Sequence, residues 1–239
     1  YALAATTTGS YNTALGRSAG LAITTGTRNV VVGVDALKAV TTGVNNTAIG
    51  TNALAAATGG ESVAVGKAAL ATMTTAVRNT AVGTEALTAN TTGYNNTAIG
   101  YVAGKAITEG YQNTLVGDRA GTALTTGDNN TAVGQHALKT ATTAGGNTAL
   151  GFDALTISTS GHSNTAVGNY ALTGNTTGVR STAVGFEAGD NTSTASDNIS
   201  IGYQARPSSS SSSDQCTLGN TAITDLRCND TSISSLSDS

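Results

Sequence analysis

The sequence predicts an all-β protein, a parallel β-roll or β-solenoid of about thirteen 17-residue coils. Three observations carry that prediction. The unit Asn-Thr-Ala-(Val/Ile/Leu)-Gly, first seen as Asn12-Thr13-Ala14-Leu15-Gly16, returns along the chain. Its closing glycines are Gly16, Gly33, Gly50, Gly66, Gly83, Gly100, Gly117, Gly134, Gly151, Gly168, Gly185, Gly202 and Gly219, evenly spaced except that the step from Gly50 to Gly66 is shorter by one. Ala stands fourth, counting each closing glycine as position 1, in every copy from Ala19 to Ala222. A fixed period held this long marks a solenoid, in which each repeat buries its apolar face only against its neighbours.

The Thr-Ala-Val segment reads as a short strand. With a side-chain period of 2, the aliphatic before each glycine and the Thr two places earlier share one face and the Ala between them takes the other. The aliphatic column (Leu15, Val32, Ile49, Val65, Val82, Ile99, Val116, Val133, Leu150, Val167, Val184, Ile201, Leu218) is expected to point inward. The invariant Ala at position 4 implies a contact with room only for a methyl group. Position 5 is Leu in most coils, which gives the second limb its own buried residue, and Gly at Gly20, Gly104, Gly121 and Gly189.

Thr-Thr-Gly, as in Thr41-Thr42-Gly43, separates the limbs, where Gly is expected to supply a positive φ. Asn recurs four residues before the closing glycine, and stacked Asn side chains are expected to bond from coil to coil. Gly, Asn and Thr interrupt every window in which Ala-Leu pairs would start a helix, so two short strands per coil are expected. Thirteen parallel steps give a rod about 60 Å long. Position 3 varies from Ser18 and Asp35 to Arg119, His136, Asp153 and Tyr170, which no buried column would accept, so it is placed on the outside. Ladder ion pairs are expected between Arg119, His136 and Asp153 and between Glu61 and Arg78.

The repeat divides the chain into a shaft (1–206), a Ser-rich final coil (207–219) and a C-terminal stem (220–239). Tyr1 falls in mid-coil, so the chain reads as a fragment or a processed segment. Charged residues make up 10%, aromatics 4%, and there is no Trp, a composition suited to thin repeated packing. A net charge of −3 and the lack of any Lys/Arg cluster argue against nucleic acid. No apolar run reaches the roughly 20 residues of a membrane helix, so no membrane insertion is expected.

No catalytic constellation emerges, and no cofactor or metal set. The two histidines, His136 and His162, read as surface residues, and the carboxylates are scattered over outer columns. Cys216 and Cys228 lack companion ligands; Cys216 takes a Thr position of the repeat and reads as a small core or interface residue. The aromatics Tyr101, Phe152, Phe186 and Tyr203 share position 2. Two readings stand for them: recognition of a sugar or other surface ligand, and cover of the groove between chains, of which the second is the simpler. The Thr columns suggest an ice-binding face, but with the aliphatic column assigned to the core the paired Thr-x-Thr of such faces is missing.

The recurring Asn-Thr-Ala-Val-Gly with its nearby Ala resembles the heads of trimeric autotransporter adhesins, left-handed parallel β-rolls that associate as homotrimers. It is also similar to bacteriophage tail fibres and tailspikes, which carry arrays such as Asn96-Thr97-Ala98-Ile99-Gly100-Tyr101 with Thr-Thr-Gly turns, and a stem like Thr217–Asn229 followed by Ser232–Ser239. In those fibres the stem leads to an auto-cleaving intramolecular chaperone that drives trimerisation. The resemblance implies a cleavage junction at Ser237-Asp238, a left-handed homotrimer, and a location on the virion or at a cell surface. The expected function is a non-enzymatic tail-fibre shaft supporting attachment to a host receptor or glycan. A bacterial trimeric adhesin head is the alternative, and an ice-binding solenoid a minor one.

Overall fold

The structure, a computed structural model, describes residues 1–224. Thirteen strands of three residues each, from Thr13–Leu15 to Cys216–Leu218, form one sheet in chain order. Every neighbouring pair is parallel and in register, so that Thr13 pairs with Val30 and Val30 with Thr47. The constant period causes this, since it returns the chain to the same place one strand spacing further along. The one shorter coil keeps register too, with Thr47 beside Val63. Its missing residue comes out of the turn, where Thr58 is followed directly by Gly59.

The rest of each coil is not a second strand, contrary to expectation. It is a run of turns with left-handed backbone at positions 3, 5 and 13, as at Asp35 (φ 55°), Leu37 (φ 47°) and Arg28 (φ 57°). Such residues cannot continue a β ladder. Their backbone donors are instead paired along the axis: Leu37 N donates to Ala53 O at 2.9 Å and Asp35 N to Arg17 O at 3.0 Å. At the Thr-Thr-Gly turn, Thr41 O accepts from Thr24 N (3.0 Å), Thr25 N (3.2 Å) and Gly26 N (3.1 Å), and from the Thr24 hydroxyl (3.2 Å). Pairing buried amides in this way allows irregular backbone to stack as regularly as a sheet.

The strand faces are reversed relative to expectation. The central residue points inward, with Ala48, Ala81, Ala98 and Leu115 at 0% exposure. The Thr and the aliphatic on either side face out, Ile99 at 40% and Leu150 at 47%. The period of 2 holds but with the opposite side inward, the flip that a one-residue offset produces. Its cause is the thinness of the coil. Inside the strand lie the position 4 Ala residues from Ala19 to Ala205 and the position 5 Leu residues, all buried, and in most coils only a methyl group fits between them.

Glycine at position 1 has two independent reasons. Gly33 has φ 134°, and a Cβ there would stand 2.7 Å from Gly50 O of the next coil. The Thr-Thr-Gly glycines have only the second: Gly43 is not in the positive-φ region, but a Cβ would lie 2.6 Å from Gly59 O. Close approach of coils, not turn handedness, selects them.

The Asn ladder forms. Asn130 Nδ2 donates to Ala144 O at 2.9 Å, and its Oδ1 accepts from Asn147 N at 3.0 Å and from Asn147 Nδ2 at 3.2 Å. Ser62 and Ser181 replace Asn in this column and still accept from the next backbone amide, each at 3.3 Å. Position 3 is in many coils half-buried rather than open, and Val102 is only 6% exposed there. The Ser-rich segment 207–219 closes a last coil on the strand Cys216–Leu218.

Candidate functional site

Two surfaces stand out. The first is the outer face of the sheet, where each strand up to Ile199–Ile201 presents Thr, Val or Ile and, two places on, an aliphatic residue. Cys216 belongs to this face and is exposed, so of its two expected places, core or interface, the core is ruled out. The Thr and aliphatic side chains therefore share one face as expected, but it is the outer one.

The second surface begins just past the closing glycines. Phe152, Phe186 and Tyr203 are brought together there, but through a residue outside their column. Tyr170, at position 3, stands 5.3 Å from Phe152 and 6.0 Å from Phe186, edge-on to both at 81° and 83°. Phe186 and Tyr203 stack at 5.5 Å and 10°, and His136 lies 6.1 Å from Phe152. Position 2 is Asn169 in the intervening coil, so the column of rings crosses to the neighbouring position. The signal for that detour is a Tyr next to a missing aromatic. Tyr101 is apart from the ladder, 5.5 Å beneath the Arg119 guanidinium.

Charged groups flank the rings. Arg206 donates through Nη2 to Glu187 Oε2 at 3.0 Å and to Asp190 Oδ2 at 2.6 Å, and through Nε to Asp190 Oδ1. The hydrogen bond to Asp190 raises the Arg206 pKa above its usual value. Gln204 Nε2 also donates to Glu187 Oε2, at 2.7 Å. Between these groups and Tyr170 opens a cleft of about 240 Å³ lined by Ile157, Tyr170, Thr173, Gly174, Glu187 and Asp190. Expected ladder pairs are met in part. His136 Nδ1 and Asp153 Oδ1 are 3.1 Å apart, but Arg119 turns to Asp118 in its own coil, and Glu61 and Arg78 are not among the ion pairs of the described residues. His162 is exposed. No cluster of three or more His, Cys, Asp or Glu side chains suited to a metal exists among the described residues. Ser237, Asp238 and Cys228 lie outside the described residues.

No protein-family profile, curated protein or solved structure matches this chain.

Proposed function

We propose that the chain is a non-enzymatic shaft that associates as a homotrimer in a phage tail fibre and supports attachment to a host surface. The observation that carries this reading is the outer sheet face. Thirteen strands align aliphatic side chains such as Ile99, Leu150, Ile201 and Leu218 in one exposed column, and contiguous apolar surface of that kind marks an association site. Packing three such faces together would cover them, and the axial ladders supply stiffness along the fibre. The resemblance in repeat and stem supports a fibre over other trimeric solenoids. A bacterial trimeric adhesin head would use the same face. In the full-length protein, an anchor barrel behind a coiled coil favours the adhesin, and a downstream chaperone favours the fibre.

One observation supports a second reading. Outward Thr and aliphatic residues at regular spacing, as at Thr80 and Val82, also suit an ice-binding face, provided the face stays open in solution. Denaturing gels run with and without prior heating separate these outcomes. A kinetically locked fibre migrates unheated as a trimer and collapses to the single chain on heating. Migration as the single chain in both lanes, joined by slowed ice growth, favours the second.

A further inference from the structure

The cleft beside Tyr170 has the chemistry of a sugar subsite. At about 240 Å³ it lies below the roughly 300–1,000 Å³ of pockets that take drug-sized ligands, so it suits one ring. Its walls are unlike. Tyr170 and Ile157 give an apolar side, and Tyr170 is held in orientation by the edge-on rings of Phe152 and Phe186. Glu187 and Asp190 give an acceptor side. Both carboxylates are fixed in advance by Arg206, and Glu187 also by Gln204, so little ordering is left for a ligand to impose. All four bonds that Arg206 and Gln204 make to these groups leave Glu187 Oε1 unengaged. Gly174 also lines the cleft, at a place where a Cβ would run into the backbone carbonyls of Asp190 and Thr192.

We infer that this cleft binds a neutral pyranose unit of a surface polysaccharide. A pyranose presents an apolar C–H face and a rim of hydroxyl donors, which match Tyr170 with Ile157 on one side and the Glu187 and Asp190 carboxylates on the other. Two carboxylates against one guanidinium leave an excess negative charge, which repels uronic, sialic and phosphorylated units. The inference deepens the host-attachment reading and rests on it for the source of the glycan, but not on the trimer.

The test is saturation-transfer NMR on residues 1–239 with the methyl glycosides of glucose, galactose, mannose and N-acetylglucosamine, and glucuronic acid as the anionic control. Transfer to the ring C–H protons of at least one neutral glycoside is expected, with none to glucuronic acid. Tyr170→Ala abolishes it, Glu187→Gln weakens it while keeping the side-chain shape, and Tyr94→Ala, at a distant exposed ring, leaves it unchanged. Absence of transfer from all neutral glycosides, or transfer that survives both Tyr170→Ala and Glu187→Gln, overturns the site. A trimer without transfer leaves the shaft reading standing and removes only the subsite; transfer to a monomer does the reverse.

Discussion

Leu115 fills the space that Gly104 leaves open. A Cβ on Gly104 would lie 2.8 Å from Leu115 Cδ1, and one on Gly121 2.8 Å from Leu115 Cδ2. In three of the four coils with Gly at position 5, a large apolar residue stands elsewhere: Ile23 and Val31 with Gly20, Ile107 and Leu115 with Gly104, Leu124 with Gly121. In the coil of Leu54 the partners are small, Ala57 and Ala64, although Leu70 keeps a large one in Met73. Between the coils of Gly104 and Leu54, interior volume is exchanged among three positions.

This exchange predicts coupling. Gly104→Leu alone overpacks against Leu87, Ile107 and Leu115 and is expected to cost about 1–3 kcal/mol. Leu115→Ala alone is expected to cost about 2–5 kcal/mol. The triple variant Gly104→Leu, Ile107→Ala, Leu115→Ala copies the native Leu54 coil and is expected to recover most of the loss. Denaturant unfolding of the three variants checks it; additive losses would refute the exchange.

The Asn column predicts a graded response. Asn130→Ala leaves the Asn147 amide and the Ala144 carbonyl, both buried, without their side-chain partner, and each orphaned group costs about 1–3 kcal/mol. Asn130→Ser keeps an acceptor for the amide, as Ser62 and Ser181 do. Thermal unfolding is expected to rank the wild type above Asn130→Ser and Asn130→Ser above Asn130→Ala.

Left-handed backbone outside the core predicts the opposite of the usual glycine penalty. Arg78 lies outside the core with φ 58°. Arg78→Gly is expected to be neutral or stabilising, whereas Arg78→Val adds a β-branched side chain where non-glycine residues already cost about 1–2 kcal/mol. Melting temperatures of the two variants should therefore move apart.

These cases show where the sequence was legible. The period sets register, the strands and the Asn ladder, because identical residues must stack. It does not say which side of a three-residue strand is inner. Val and Ile are the better apolar residues, yet Ala81 and Ala98 go inside because the opposite limb comes too close for more than a methyl. Nor does it announce the left-handed turns, since Leu37, Leu54 and Leu87 are ordinary residues in uncommon backbone, held there by their burial. At the candidate site the position 2 aromatics are legible as a column, whereas Tyr170 is not, because the ring stack steps from one column to the next.

The exposed ion pairs set the pH response. Hydrogen bonding from Arg180 lowers the Asp197 pKa, and Lys105 does the same for Glu85. A carboxylate depressed in the folded state stabilises above its unfolded pKa, and that contribution disappears as pH falls through the folded value. Lys105 is raised by Glu85, and Tyr111 by its hydrogen bond to Asp128; their contributions hold below the unfolded pKa and vanish as pH rises through the folded one. The stability gap between wild type and Glu85→Gln is thus expected to close in acid, to be small throughout, and to shrink with added salt.

In the proposed trimer the outward Thr and aliphatic face is where chains meet. Light scattering on residues 1–239, alongside the variant Val82→Lys with Val167→Lys on that face, tests it most directly. The single chain weighs 23.4 kDa. The proposed trimer requires a wild-type mass three times that value and a single-chain mass for the double variant. A wild type that stays at the single-chain mass, or a double variant that still assembles, would contradict it.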